Sequence, residues 1–500
     1  MSPDAHRIGF QERISAVDRH WPRIRLFLIG GGLLLCGFIA GCGASRSTVQ
    51  SDQARPSSTA TAAVEATDAP TTNPDAPTDI QRVTFDGEAV DDSPPATGWT
   101  LSNFESLALA HNPAIQQATA SAHKAMGFRD QVGRKPNPTI GYNGAQLFDR
   151  STDQHVAFIE QDFVTAGKLG KNRNVLEQEV QSQLWEVQTQ RQRVLTDIRR
   201  CFYKALAAQR RLELAKEFQI IARNGVKTAE DRLAAKEGNR PDILQSEIQL
   251  KQVETQLRQA EASVRASWKQ LVVLSGVPET APQPLVGTLP DQPAQRDWQQ
   301  VSSEILGSSP ELRSAQSRLA RAQANIDRQE AQSTPNITVM VAAGNDRGTH
   351  SKLWNTQVGL PLPLHNANQG NISAAHAEYC RAAQDVRRTE LAIESRLAQA
   401  QNDYESAAAA VEQYRDEILP RAARTLELIA EAKEAGEYDA TQVLIARRTY
   451  FDTHLAYLTA QLDLAQAESL IDGLVLTGGL ETTRDVEFDG GLRDQALSGR

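Results

Sequence analysis

The strongest constraint on the fold is an internal duplication of the 500-residue chain. Short landmarks return in the same order at an offset of about 200 residues. The chain repeats Asn112-Pro113 as Ser309-Pro310, Pro138 as Pro335, Gly170 as Gly370, and Gly238 as Gly436. Chance does not readily produce four landmarks in one order. Each half therefore predicts a helix, two extended segments, a very long helix, a Gly-marked turn and a return helix.

Two very long helices are predicted, over residues 170–236 and 369–434. The first range contains no Pro and the second contains only Pro420. Apolar positions such as Leu176, Val180 and Val187 recur at spacings of three, four and seven, which is typical of a narrow coiled-coil seam. At 1.5 Å per residue such a helix is roughly 100 Å long. Aromatic residues make up only 5% of the chain, so the composition favours long packed helices over a thick globular core.

Four extended segments precede the long helices in pairs, over residues 139–148 and 155–164, and over 337–344 and 353–360. Each is about 8 to 10 residues long, the length of a tilted strand that crosses an outer membrane. Alternation is clearest in the third and fourth segments, whose proposed outward rows are Ile337, Val339, Val341 and Ala343, and Trp354, Thr356, Val358 and Leu360. The first two segments alternate poorly, so soluble hairpins remain an alternative at this point.

Four strands cannot close a barrel on their own. An open sheet in lipid would leave backbone edge groups unpaired, at several kcal/mol each. A dimer would supply eight strands around a filled interior, and a trimer twelve strands around a lumen. The strands therefore predict a mainly α protein with a membrane β-barrel that several copies share, with four strands per protomer.

The N-terminus resembles a bacterial lipoprotein signal. A short apolar run from Leu26 to Ala40 follows Arg23 and Arg25 and ends in Ile39-Ala40-Gly41-Cys42. By this resemblance residues 1–41 are a signal peptide, and Cys42 becomes the acylated first residue that anchors the chain in outer-membrane lipid, with palmitate among its acyl chains.

The remaining boundaries follow composition. Residues 42–98, rich in Ser, Thr, Ala, Asp and Pro, predict a disordered tether. The two repeats span 99–277 and 298–476, with a Pro-rich linker at 278–297 and a flexible tail at 477–500. The formal net charge of -9 excludes a strongly basic nucleic-acid binder.

No catalytic residue, metal site or cofactor is predicted. The Gly167-Lys168 pair lacks the spacing of a phosphate-binding loop. His365 and His376 are not accompanied by a Cys or carboxylate cluster, so they are interpreted as solvated or packing residues. Cys201 and Cys380 are interpreted as reduced, buried thiols, with a disulfide left open.

The turn around Gly436 carries more acids than a hairpin needs, including Glu431, Glu434, Glu437 and Asp439. One interpretation is a solvated turn. The other is a candidate aperture gate, in which threefold symmetry gathers Glu434, Glu437 and Asp439 into a cation-favouring ring that Arg447 and Arg448 hold shut.

These features together resemble the TolC family of trimeric outer-membrane efflux channels, over about residues 99–476. The resemblance rests on Leu101-Ser102 through His111-Asn112-Pro113, the duplicated hairpins, Gly359–Pro363 leading to Gln369-Gly370-Asn371-Ile372, and the Gly-marked turns. Ala166-Gly167-Lys168 is similar to the Gly-Gly-Lys segment of the heavy-metal-efflux branch. The resemblance implies a homotrimer with a twelve-stranded barrel and a long helical periplasmic barrel, whose helices form a periplasmic tunnel. It also implies that the turn residues, Gly238, Pro241, Asp242, Gly436, Glu437 and Asp439, meet an adaptor protein fed by an inner-membrane pump.

The functional hypothesis is an outer-membrane channel of a tripartite efflux system that conducts passively. Two alternatives remain: a coiled-coil lipoprotein spacer without a pore, and the exit duct of type I protein secretion. Hairpins of membrane length in both halves favour a channel, because a spacer has no use for them.

Overall fold

The computed structural model describes residues 98–147, 151–277, 281–434, 438, 440–481 and 491–498. All of them lie in the compact unit Val83–Arg500. The predicted signal peptide, lipid-anchor residue Cys42 and tether up to residue 97 lie outside the described residues, as do Gly436, Glu437 and Asp439.

The elements follow the predicted order twice. The first repeat contains α1 (Leu101–His111), α2 (Pro113–Val132), β1 (Thr139–Ala145), β2 (Gln154–Phe163), α3 (Lys168–Ala234) and α4 (Arg240–Ser275). The second contains α5 (Trp298–Ser308), α6 (Pro310–Gln332), β3 (Ile337–Asp346), β4 (Ser351–Gly359), α7 (Gln369–Gln413), α8 (Leu419–Glu434) and α9 (Ala440–Asp472), and a short α10 (Leu492–Ser498) comes last. The predicted mainly α fold with four strands per chain is confirmed.

The long helices differ from their predicted limits for local reasons. Helix α3 has 67 residues and begins two residues early, directly after Gly167 at φ 65°; it ends before Lys236, which adopts φ 60°. Helices α7 and α8 are joined by a π-helical turn, Tyr414–Ile418. Pro420 lies just beyond this turn and has no backbone N–H to donate, so the wider turn accommodates it without ending the helix.

The four strands form one antiparallel sheet in the order β1-β2-β3-β4. Ile159 lies opposite both Ile140 and Val341, and Val341 lies opposite Thr356. Strand β1 ends three residues earlier than expected because Gln146 adopts φ 57°. Strand β3 continues two residues further, to Asp346, because that residue pairs with Gln154.

Each repeat has its own apolar core around its short first helix. In the first, Phe104 of α1 lies 5.9 Å from Trp268 of α4 and 6.4 Å from Phe202 of α3, measured between ring centroids. In the second, Ile305 of α5 packs with Ile393 of α7 and Leu464 of α9. The duplication is therefore a duplication of packing as well as of sequence.

Within the predicted flexible tail, 477–500, the residues that the structure describes contact the rest of the chain. The backbone N–H groups of Gly478 and Gly479 both donate to the Asp197 carboxylate of α3, at 3.0 and 2.8 Å. Within α10, Leu492 and Ala496 are buried. These described residues contact partners far away in the sequence, which their own polar composition does not reveal.

The predicted linker contacts the first repeat. Trp99 forms a parallel bridge with Leu285, and the Trp99 backbone N–H donates to the Pro284 carbonyl at 3.2 Å. Cys201 is half-buried, but Cys380 is exposed, and both are free thiols. In the part of the chain that the structure describes, no helix has the length and apolar character needed to cross a membrane.

Candidate functional site

One face of the sheet is apolar and exposed. The face that contains Ile159 and Val341 also carries Ile140, Trp354 and Val358, whose exposed fractions are 78%, 75% and 66%. Large aromatic and aliphatic side chains rarely stand so far into water over a continuous surface. The face therefore suits hydrocarbon, as expected for strands of this length.

The opposite face carries charges of one sign. Its ionisable residues are Glu160 and Asp162 on β2 and Asp346 on β3. The strands are described in full, and their only Lys or Arg is Lys352, which pairs with Asn345 on the apolar-face side of the register. Every fixed charge on the polar face of the sheet is thus a carboxylate.

Hydrogen bonds hold two of these acids in place. Thr338 Oγ1 donates to Asp162 at 2.6 Å, and Gln154 Nε2 donates to Asp346 at 3.2 Å. Glu160 lies opposite Met340 and has no ion-pair partner among the described residues. The sequence interpretation missed this row, although the spacing of two between Glu160 and Asp162 is a strand signal.

The loop ends of the two hairpins are tied by Asp153. Its carboxylate accepts a hydrogen bond from the Arg347 guanidinium at 2.8 Å and lies 2.9 Å from His155 Nε2. The Arg347 backbone N–H donates to the Asp153 carbonyl at 3.1 Å. The hydrogen bond with His155 and the charge of Arg347 hold the pKa of Asp153 below its usual range. The arrangement fixes the register of β2 against β3.

The first predicted tip residues form a compact turn between α3 and α4. Asn239 caps α4 by accepting a hydrogen bond from the Asp242 N–H at 3.0 Å, Pro241 lies in the first turn, and Asp242 adds negative charge at the helix N-terminus. The backbone packs closely at Gly238, where a Cβ would lie 3.2 Å from the Leu233 nitrogen.

The tips of both repeats adjoin. A cavity of about 70 Å³ is lined by Gly238 and Asp242 from the first repeat and by Lys433 and Arg447 from the second. Arg448 has a partner that the sequence interpretation did not name: its Nε lies 3.6 Å from Asp452, one turn along the same helix. Among the candidate gate residues, Glu434 is the last residue of α8.

Comparison with known proteins agrees with this geometry. The family profile described as outer membrane efflux protein matches residues 105–277 and 301–475, so both repeats are covered. The cobalt-zinc-cadmium resistance protein CzcC of Cupriavidus metallidurans is 25% identical over 379 residues, which are 75% of this chain and 90% of that protein.

Solved structures share the fold. A membrane protein from Pseudomonas aeruginosa superposes with a TM-score of 0.63 at 18% identity, over 75% of this chain and 93% of that one. The MtrE outer membrane channel of Neisseria gonorrhoeae gives 0.56 at 19% identity, over 78% and 91%.

Proposed function

The chain belongs to the outer membrane efflux protein family, and we propose that it is the passive outer-membrane duct of a tripartite system that exports divalent metal cations. Its role as an outer-membrane efflux channel follows from the family. The observation that carries the finer proposal is the sheet, which has one apolar face and one face charged only with carboxylates. A pore-free spacer would need neither face.

Three copies complete the channel in this proposal. Strands β1 and β4 are the edges of the sheet, and their backbone groups must pair in lipid with those of other copies. Twelve strands leave a lumen, whereas eight leave only enough space for side chains. The polar face then lines the lumen, and the apolar face contacts lipid.

The long helices continue the duct into the periplasm. Helix α3 alone is roughly 100 Å long, and the tips of both repeats adjoin at its far end. We assign this end, with Gly238, Pro241 and Asp242, to the contact with a periplasmic adaptor fed by an inner-membrane pump. The channel itself then needs no energy source.

Two observations support a cation cargo. The relative CzcC is named for resistance to cobalt, zinc and cadmium. In the proposed trimer, Glu160, Asp162 and Asp346 form stacked acidic rings with no basic residue on the same face. Rings of carboxylates favour the passage of cations and exclude anions.

The experiment measures ion selectivity in planar bilayers. Glu160→Gln combined with Asp162→Asn should lower the cation-to-anion permeability ratio by about threefold or more, because a one-signed lining enriches its counter-ions. The matched control is Glu330→Gln with Asp494→Asn, which removes the same charge from exposed sites outside the sheet. The difference should shrink at 1 M salt, where the screening length is about 3 Å.

The two parts of the proposal fail separately. A wild-type channel that conducts without preferring cations would contradict the cation cargo while leaving the duct intact. Purified protein that inserts but never conducts would contradict the duct.

We propose that Arg447 holds the aperture at the tips closed. It lines the cavity between the tips together with Asp242, so it lies where the two repeats adjoin. Arg447→Ala should raise single-channel conductance, since it removes a cation from that junction. Arg448→Ala is the control, because Arg448 pairs with Asp452 on an exposed helix surface. Equal conductance in wild type and Arg447→Ala would remove Arg447 from the gate, together with its proposed acidic counterparts Glu434, Glu437 and Asp439.

We also propose lipid anchoring at Cys42, on the basis of Ile39-Ala40-Gly41-Cys42 after a short apolar run. Cys42→Ser should accumulate as uncleaved precursor, detectable by mass, because the substitution removes the thiol that would receive the lipid at the cleavage site. Conduction should persist, since the strands supply their own membrane contact. An unmodified mature N-terminus in the wild type would refute the anchor.

A further inference from the structure

Helix α10 returns to the end of the helical layer nearest the sheet. It packs Leu492 into a cluster with Val132 of α2, Val175 and Leu176 of α3, and Ala324 of α6. Ala496, on the same helix, is fully buried. A seven-residue helix cannot be stable in isolation, so these contacts maintain it.

The same short helix contacts three of the four places where a helix and a strand are joined. Arg493 donates to the carbonyls of Gln131 and Arg134, at 2.6 and 3.0 Å, where α2 ends before β1. Asn172, at the start of α3 after β2, donates to the Leu492 carbonyl at 2.7 Å. Asn336, immediately before β3, donates to the Ala496 carbonyl at 2.6 Å.

Two buried cations lie beneath this helix. Lys168 and Arg328 are 0% and 2% exposed, and neither forms a salt bridge within the described part of the chain. Burial lowers the pKa of Lys168, and it lowers the pKa of Arg328 to about 10. Buried charges without carboxylate partners need well-aimed neutral acceptors.

The backbone carbonyls of α10 orient the side-chain oxygens that accept hydrogen bonds from the two buried cations. Because Asn172 Nδ2 donates to Leu492, its Oδ1 faces Arg328 Nε at 2.8 Å. Because Asn336 Nδ2 donates to Ala496, its Oδ1 faces Lys168 Nζ at 2.9 Å. Gln495 adds a direct side-chain hydrogen bond to Arg328.

We propose that the crevice between α2, α3 and α6 is a docking site for the chain's own C-terminal helix, which clips the sheet to the helical layer by capping Lys168 and Arg328. The clip is a positioning device: it contacts neither the polar face of the sheet nor the tips, and it acts through Asn172 and Asn336. The inference does not depend on the cargo or on conduction.

The test compares a chain ending at residue 490 with a control ending at Ser498, both purified as the assembled protein. In limited proteolysis, the chain lacking α10 should be cleaved about tenfold faster within residues 133–138 and 333–336. A factor of that size corresponds to the loss of one hydrogen bond to a buried charge. A synthetic peptide of residues 491–500, added in trans, should slow that cleavage.

Charge removal separates the clip from simple apolar packing. Lys168→Met with Arg328→Met should restore slow cleavage to the chain ending at 490, because no uncapped charge then remains. The same pair should bring no gain to the control ending at Ser498. Equal cleavage rates for the two chains, or failure of the Met pair to rescue the shorter one, would overturn the proposal.

Discussion

Val341→Arg is expected to prevent stable insertion of the sheet into the outer membrane. Val341 lies mid-strand on the apolar face, between Ile159 and Thr356. A basic side chain at the bilayer midplane costs about 2–4 kcal/mol in a transmembrane strand. Every copy in the assembly carries the substitution, so the assembly incurs this free-energy cost once for each copy. The measurement is the amount of heat-modifiable oligomer in the outer-membrane fraction.

The control is Asn355→Arg, one residue from Thr356 and therefore on the polar face at nearly the same depth. Its guanidinium faces the proposed lumen, so insertion should remain close to wild type. Equal insertion of the two variants would mean that the apolar face does not contact lipid.

Phe104→Ala is expected to lower the free energy of unfolding of the protein by about 3–5 kcal/mol, the usual cost of emptying a buried aromatic site. Phe104 is 2% exposed, and its ring centroid lies 5.0 Å from that of Trp99. The loss should appear as a lower denaturant midpoint in detergent.

Leu109→Ala provides the comparison on the same helix, because Leu109 is 40% exposed. Its midpoint should change little, since surface truncations usually fall within about 0.5 kcal/mol. If both variants lost the same stability, the aromatic cluster around α1 would not be the core of the first repeat.

Elements governed by local periodicity were predictable. The long helices lack Pro or tolerate one, and their apolar residues repeat at helical spacing. The outward rows of β3 and β4 alternate with period two, and the register places them on the apolar face as predicted. The alternation of β1 and β2 is poor. They are predictable mainly because they occupy the same place in the first repeat as the clearer strands β3 and β4 do in the second.

Residue roles that depend on pairing were not predictable from local patterns. Glu160, Asp162 and Asp346 become one acidic face only when β2 pairs with β3. Arg448 is a candidate gate residue by sequence, and the structure adds that its Nε lies 3.6 Å from Asp452 at i,i+4 spacing. Arg447, its neighbour, turns toward the cavity shared with Asp242 because successive helix positions point about 100° apart.

The sequence alone determined the duplication, the long helices and the strand pairs, because their spacing patterns occur in both halves of the chain. Its motifs also resemble the family that the profile match shows. Only the tertiary structure decided that the C-terminal residues form a docked helix. Asn172 and Leu492 are 320 positions apart, and Arg328 and Gln495 are 167 apart. Single polar contacts over such separations leave no periodic signal, and their energy exists only after the helical layer has formed the crevice.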